Sequence, residues 1–180
     1  MAGSSTLDLM SFANIPIPLP NNMSWTILKY ERNTSQPKIK EALSLLVSRH
    51  FDYGLMNYCL SDKSETHTGF YIAVLETKKG MVTTCAVSIH DNELAEVPYV
   101  ATKEMYEHEG FCKKLMTQLE EKLKALNVKK IVLHSRLINR LGVVWNSLGF
   151  SPMTESAEKL IHEKYKLVPF DDVILWQKVL

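Results

Sequence analysis

The chain has 180 residues, a formal net charge of +1 and a hydrophobic fraction of 46%. A chain of this length forms one domain with a sizeable core, and its nearly neutral charge gives no general electrostatic case for binding nucleic acid or a membrane surface. No apolar run approaches the roughly 20 residues that a membrane-spanning helix needs, and the N-terminus lacks the basic and then apolar pattern of a signal peptide.

The cysteines Cys59, Cys85 and Cys112 are widely spaced and form no CxxC pair. An odd number of isolated cysteines is typical of reduced thiols, so we expect an intracellular protein with no zinc finger and no other metal site. The nucleus and the cytoplasm both fit this expectation. No cluster of Lys and Arg strong enough for a nuclear import signal stands out.

The N-terminal residues 1–23 are small, polar and punctuated by prolines, which predicts a flexible or extended arm. The single domain is therefore predicted to span residues 24–180. Alternating residues at 25–30 predict a first strand, and Pro37 stands where a first helix begins. Residues 52–68 predict a loop with at most a short helix.

A three-stranded meander is predicted in the middle of the chain. The runs 70–76 and 81–89 form an antiparallel hairpin, and a second turn leads to a strand that begins at Leu94. Pro98 interrupts this third strand and predicts a bulge or an unpaired edge, because proline donates no hydrogen bond to a ladder.

A long amphipathic helix follows the meander after a turn that contains Gly110. Its apolar residues recur at spacings of three and four and belong on one face: Phe111, Leu115, Leu119, Leu123 and Leu126. The short apolar run 130–134 predicts a buried strand parallel to the Leu94 strand, which makes a βαβ unit.

The C-terminal part of the chain predicts a helix over 139–148 that ends at Gly149, a helical turn or two within 152–165, and a closing strand over 173–179. The predicted order is thus β–α–β–β–β–α–β–α–β. This order indicates an α/β (α+β) fold with a mixed central sheet flanked by helices.

The Gly110 turn brings several backbone N–H groups to the start of the long helix. These groups have no intrahelical partner, and the helix dipole adds partial positive charge, so the turn suits an anion such as a pyrophosphate. Taken alone, the pattern favours a simple packing role, because strand–turn–helix units with one glycine are common.

Three motifs occur in a recognisable order: LAEVPYVAT from Leu94, the Gly110 turn, and WNSLGF from Trp145. In these motifs the chain resembles the GNAT superfamily of acetyl-CoA-dependent N-acetyltransferases, and most of all the acetyltransferase domain of plant PHD-finger proteins of the increased-DNA-methylation type. The resemblance covers residues 68–180 and implies the GNAT acyl-CoA N-acyltransferase fold. It does not extend to PHD fingers, because the chain lacks their zinc-ligand clusters.

The resemblance also implies roles for particular residues. Glu96 stands where histone-type GNAT enzymes carry a glutamate that acts as general base, although an exposed strand glutamate is the alternative interpretation. By position, the pantetheine arm and thioester of acetyl-CoA would contact the backbone of Val100, Ala101 and Thr102. The implied residues of the pyrophosphate loop are Glu109, Gly110, Phe111, Cys112 and Lys113.

Two departures from the family pattern bear on activity. Glu107 stands where glutamine or arginine is expected, and Glu109 adds a second carboxylate, each of which costs on the order of 1 kcal/mol beside a solvated pyrophosphate. Val144 occupies the place of the tyrosine that reprotonates the leaving thiolate in many GNAT enzymes.

Three further residues carry weaker signals. Cys112 has no recognisable activating partner, so a packed thiol is favoured over a nucleophile. His90 and His134 are lone histidines in the sequence, and each is better interpreted as structural or solvated than as catalytic.

Two functions remain open at this stage. The first is an acetyl-CoA-dependent N-acetyltransferase with Glu96 as base, acting on an amine; the plant resemblance implies a protein lysine, with a histone as one candidate. The second is a catalytically degenerate GNAT-like module that binds a protein partner and has weak or no affinity for acyl-CoA. Neither function involves direct contact with nucleic acid or a membrane.

Overall fold

The computed structural model describes residues 9–49, 52–61, 69–135 and 141–180. The strands are β1 (Ile17–Leu19), β2 (Met23–Lys29), β3 (Tyr71–Thr77), β4 (Gly80–His90), β5 (Leu94–Thr102), β6 (Lys130–Ser135), β7 (Ser151–Pro152) and β8 (Ile174–Val179). The α-helices are α1 (Pro37–Ser48), α2 (Tyr53–Ser61), α3 (Phe111–Ala125), α4 (Leu141–Ser147) and α5 (Glu155–Lys164). All the strands join one sheet in the order β1-β2-β3-β4-β5-β6-β8-β7.

The sheet is mixed, as predicted. Strands β2 to β5 pair in antiparallel fashion, and β5 pairs with β6 in parallel across the α3 connection, which confirms the βαβ unit. Ala86 faces Tyr99 and Ser88 faces Glu96, so two residues of β5 oppose one residue of β4. The extra residue lies at Pro98, and the predicted bulge is confirmed.

The two faces of the sheet bury separate apolar clusters. Helix α3 packs on one face through the fully buried Leu115, Leu119 and Leu123, as their spacing predicts, whereas Phe111 is only partly buried. Helices α1 and α2 pack on the opposite face, where the cluster includes Tyr99 of β5. Glu96 and Tyr99 share this second face. The extra residue of the bulge between them shifts the alternation of side chains by one position.

The N-terminal segment differs from the predicted arm over residues 9–23. Leu9 is fully buried in a 3-10 turn that spans Leu9–Phe12, and Ile17 pairs with Trp25 as β1 joins the edge of β2. An edge strand tolerates Pro18 because one of its sides has no neighbouring strand. The prolines suggested an arm, but they are compatible with this strand. Residues 1–8 of the predicted arm lie outside the described residues.

Two helices are longer or more complete than the sequence predicts. Helix α2 spans Tyr53–Ser61 within the predicted loop, of which residues 62–68 lie outside the described residues. Helix α5 spans Glu155–Lys164, and the Thr154 side chain caps it by accepting a hydrogen bond of 3.3 Å from the N–H of Ala157. The predicted helix over 139–148 is observed as α4, although its first two predicted residues are not described.

The described residues contain neither a candidate membrane span nor a candidate metal cluster. None of their helices is long and apolar enough to cross a membrane. They also contain no group of three or more His, Cys, Asp or Glu side chains placed to hold a metal ion.

Candidate active site

The central strands β5 and β6 separate partway along their length. Their pairing covers Leu94–Val97 of β5 and ends where Val97 faces Leu133. Beyond this point β5 continues with β4, while His134 and Ser135 continue with β8. Among the described residues, the edge of β5 that faces β6 therefore makes no strand pairing after Val97.

The predicted pantetheine contacts lie on this unpaired half of β5. Val100, Ala101 and Thr102 pair with β4 on one side, opposite Cys85, Thr84 and Thr83. Their other side faces the gap between the diverging strands. Their assignment to the pantetheine arm stays a prediction of the resemblance.

Glu96 lies just before the divergence and is fully buried. Its Oε1 accepts a hydrogen bond of 2.6 Å from the N–H of Val168 and lies 3.5 Å from Nε2 of His134. Its Oε2 lies 3.3 Å from Nε2 of His90. Glu96 is therefore the centre of a buried polar cluster, and it is not an exposed strand residue.

The contacts of Glu96 favour its ionised form. Burial by itself raises the pKa of this carboxyl, but the contacts with His134, His90 and the N–H of Val168 outweigh burial and lower the pKa to about 2. A carboxylate with so low a pKa stays ionised at neutral pH and is a weak proton acceptor. It is well suited to orienting an imidazole and stabilising its protonated form.

A short segment, residues 165–170, covers the Glu96 cluster. Phe170 packs against the rings of His134 and Tyr99 at centroid distances of 4.7 and 5.5 Å. Tyr165 meets the ring of His90 edge-on at 5.4 Å. This cover, together with the N–H of Val168, keeps water away from the carboxylate.

The two histidines were not predicted as partners of Glu96. Glu96 faces Ser88 on β4 and Val132 on β6, and each histidine lies two residues beyond one of these partners. A separation of two residues returns the side chain to the same face, so both rings become diagonal neighbours of Glu96. The histidines could be found from the sequence only if the strand register were already known.

The predicted pyrophosphate loop begins α3. Gly110 occupies the position before the first helical residue with φ of +82°, and a Cβ placed there would meet no atom within 4 Å. The glycine is therefore required by the left-handed backbone and not by lack of space. The N–H groups of Phe111, Cys112 and Lys113 begin the helix and can receive an anion.

The side chains of the loop are arranged as follows. Phe111 is half-buried and packs edge-on against Tyr106, while Glu109 and Lys113 are exposed. Burial raises the pKa of Cys112 to about 11, so this residue is a neutral thiol at physiological pH. The structure thus supports a packing role for Cys112 and gives it no nucleophilic character.

Glu107 forms an ion pair that the sequence did not reveal. Its carboxylate contacts the guanidinium of Arg49, which follows the last turn of α1. Lys103 and Glu41 link the same two parts of the chain at 3.4 Å. Arg49 therefore balances the negative charge that departs from the family pattern at this position.

We expect Glu107→Arg to tighten the binding of acetyl-CoA by about tenfold if the loop faces the pyrophosphate. The change reverses one charge at roughly 5–8 Å and frees Arg49, which together are worth about 1–2 kcal/mol near a protein surface. Calorimetry on the variant measures this affinity, and Glu163→Arg on α5 gives the same change in net charge at an exposed distant position. Equal affinity for Glu107→Arg and wild type would show that the loop lies elsewhere.

The position of the expected tyrosine is occupied by Val144 on α4, next to the buried Trp145. The indole of Trp145 packs edge-on against Phe150 at 6.1 Å. Neither side chain carries a group that can donate a proton to a thiolate at neutral pH. If the chain transfers an acyl group, the thiolate must obtain its proton from another source.

Comparisons with known proteins agree with this geometry. The family model described as Increased DNA methylation 1, C-terminal domain, matches residues 54–179. The protein Increased DNA methylation 1 of Arabidopsis thaliana is 31% identical over 113 residues, which cover 62% of this chain. The chain matches only 9% of the length of that relative.

Solved structures of acetyltransferases share the fold at low sequence identity. Tetrahymena GCN5 superposes with a TM-score of 0.68 at 12% identity, covering 86% of this chain and 94% of that one. A GNAT family acetyltransferase from Elizabethkingia anophelis with acetyl-CoA bound gives 0.61 at 16%, covering 89% and 99% of the two chains. The chain belongs to the family of the Increased DNA methylation 1 C-terminal domain, and its fold is that of the GNAT acetyltransferases.

Proposed function

We propose that this protein is an N-acetyltransferase that transfers the acetyl group of acetyl-CoA to an amine, with Glu96 as the key residue of its acid–base centre. The observation that carries the proposal is the buried Glu96 carboxylate with its two histidines, located where β5 and β6 diverge. Acyl transfer to an ammonium group needs a proton acceptor at the place where the thioester is held, and this cluster can supply one.

The cosubstrate is proposed to occupy the gap and the α3 turn. The backbone of Val100, Ala101 and Thr102 would hold the pantetheine arm, and the amides after Gly110 would hold the pyrophosphate. The unpaired edge of β5 and the left-handed Gly110 support this assignment, because both expose backbone groups without side-chain obstruction. Acetyl-CoA would supply the activated acetyl group.

A protein lysine, with a histone as candidate, is proposed as the acceptor. This part of the proposal rests on the family, whose curated relative is named for DNA methylation, a process of chromatin. A nuclear location would follow from such an acceptor.

A second candidate function is a non-catalytic module that binds a protein partner. The observation in its favour is the closure of the Glu96 cluster by residues 165–170, which leaves the carboxylate fully buried. Val144 in place of the family tyrosine also favours it. In this function the polar cluster would stabilise the fold and take no part in chemistry.

Calorimetric titration with acetyl-CoA, and with free CoA for comparison, distinguishes the two functions. We expect micromolar affinity for acetyl-CoA, followed by acetyl-CoA-dependent modification of poly-L-lysine or a lysine-rich histone tail. An absence of heat up to millimolar acetyl-CoA would contradict the enzyme and favour the module. Binding of acetyl-CoA without acetylation of either amine substrate would support the proposed acyl-CoA site and contradict the proposed reaction.

A further inference from the structure

We propose that His134, positioned by Glu96, is the group that takes the proton from the acceptor amine. This inference rests on the proposed function and deepens it, because it assigns proton removal to the imidazole and a positioning role to the carboxylate. It rests on the geometry of the cluster and on the place of His134 in the sheet.

The surroundings of Glu96 argue against direct proton transfer to its carboxylate. The side chain is fully buried, and both oxygens are already engaged, Oε1 by the N–H of Val168 at 2.6 Å and Oε2 by His90 at 3.3 Å. An amine could reach either oxygen only by displacing a group from the cluster. The Glu96 carboxylate is therefore placed to hold neighbouring groups in position and not to accept the proton itself.

The imidazole of His134 is itself buried, with 3% of its side chain exposed, and His134 lies one residue beyond the last pair of β5 and β6. It is the first residue of β6 after the pairing with β5 ends, so its backbone borders the divergence. Nε2 lies 3.5 Å from Oε1 of Glu96, and among the described residues this buried nitrogen has no hydrogen-bond partner. A carboxylate at this distance favours a proton on Nε2, which leaves Nδ1 with the lone pair that a base requires.

Other titratable side chains also face the cluster. His90 contributes from β4, Tyr99 from β5 and Tyr165 from the covering segment. Burial raises the pKa of Tyr99, so it remains a neutral phenol. Glu96 is thus the source of negative charge beside His134 within this group, and it would stabilise the imidazolium that proton transfer produces.

The proton and electron balance of the step is as follows. The ammonium group of the acceptor gives one proton to Nδ1 of His134 and becomes a neutral amine. The amine nitrogen forms a bond to the thioester carbonyl carbon, and the carbon–sulfur bond breaks with its electron pair on sulfur. The surplus proton of the new amide nitrogen neutralises the thiolate, and the imidazolium releases its proton to water before the next turnover.

The tautomer of His134 tests the assignment without any ligand. Nitrogen-15 NMR of the imidazoles in the full chain, with His134→Gln to identify the signal, shows which ring nitrogen carries the proton. We expect Nε2 to be protonated in the neutral ring and this preference to weaken in Glu96→Gln. A proton on Nδ1 would overturn the proposal, because the nitrogen left without a proton would then face Glu96.

Kinetics test the same assignment with acetyl-CoA and poly-L-lysine. We expect His134→Gln to lower kcat at least about 100-fold and to leave acetyl-CoA affinity within about twofold of the wild type. The control is His162→Gln, an exposed histidine on α5, which should match the wild type. A rate for His134→Gln equal to that of the wild type would overturn the proposal.

The pH profile separates a histidine from a carboxylate. An imidazole that gains and loses the transferred proton bends the pH profile of kcat/KM, whereas a carboxylate that stays ionised gives no bend near neutral pH. We expect the bend in the wild type and its loss in the residual activity of His134→Gln. Persistence of the bend would overturn the assignment, while absence of any turnover by the wild type would overturn the proposed function itself.

Discussion

A Glu96→Gln variant is expected to transfer acetyl groups at least about 100-fold more slowly than the wild type while binding acetyl-CoA with nearly the same affinity. Glutamine has the shape of glutamate and its oxygen can still accept the hydrogen bond from Val168. It lacks the negative charge that orients His134 and stabilises a proton on it. General acid–base groups contribute about 10²–10⁴-fold to rates, so loss of the charge should remove most of the turnover.

Release of CoA thiol in the presence of poly-L-lysine measures this rate, and calorimetry measures the affinity. Glu93→Gln is the matched control, because Glu93 lies just before β5 and its exposed side chain pairs with Lys164 at 3.3 Å on the surface. The control should retain the wild-type rate. An unchanged rate in Glu96→Gln would exclude Glu96 from the mechanism.

The wild-type protein is expected to lose about 3 kcal/mol of stability from Glu96 alone as the pH falls from about 4.5 to about 2. The pKa of Glu96 is about 2 in the folded chain and 4.5 in the reference state, so the unfolded chain binds a proton first. The stabilisation is therefore complete above pH 4.5 and is lost as the pH falls through the folded-state pKa. Each unit of difference corresponds to about 1.4 kcal/mol.

Urea unfolding at several pH values between 2 and 7 measures the effect. The free energy of unfolding of Glu96→Gln should fall less steeply in the acid range than that of the wild type. Glu121→Gln on the exposed surface of α3 controls for the general loss of negative charge and should follow the wild-type curve. Parallel acid curves for Glu96→Gln and the wild type would show that the carboxylate has an ordinary pKa in the folded chain.

The order of the central elements could be predicted because each has a local signal. The β3–β4 hairpin follows from a four-residue turn between two β-rich runs, and the α3 stripe from the spacing of four residues between Leu115, Leu119 and Leu123. The bulge at Pro98 follows from the missing N–H of proline. The turn at Gly110 also has a local signal in its glycine, and the structure shows the left-handed backbone that glycine favours.

Predictions from the local sequence failed where the stabilising partner is distant along the chain. Residues 9–23 have the composition of an arm, but Leu9 and Ile17 find an edge strand and an apolar cluster that no local pattern reveals. Glu107 suggested repulsion of a pyrophosphate, because its balancing charge on Arg49 comes from a helix 58 positions away along the chain. In both places the tertiary contact reverses what the local residues favour.

By itself, the sequence determined the central elements, their order and the residue at the centre of the candidate site. Periodicity, turn residues and the absence of a proline N–H are local properties, and Glu96 was identified from a motif of consecutive residues. The tertiary structure decided the ionisation state of Glu96, because burial raises its pKa while contacts with His134, His90 and the N–H of Val168 lower it by a larger amount. These partners belong to β4, β6 and the covering segment, and the strand register and the fold of residues 165–170 bring them within 3.5 Å of the Glu96 carboxylate.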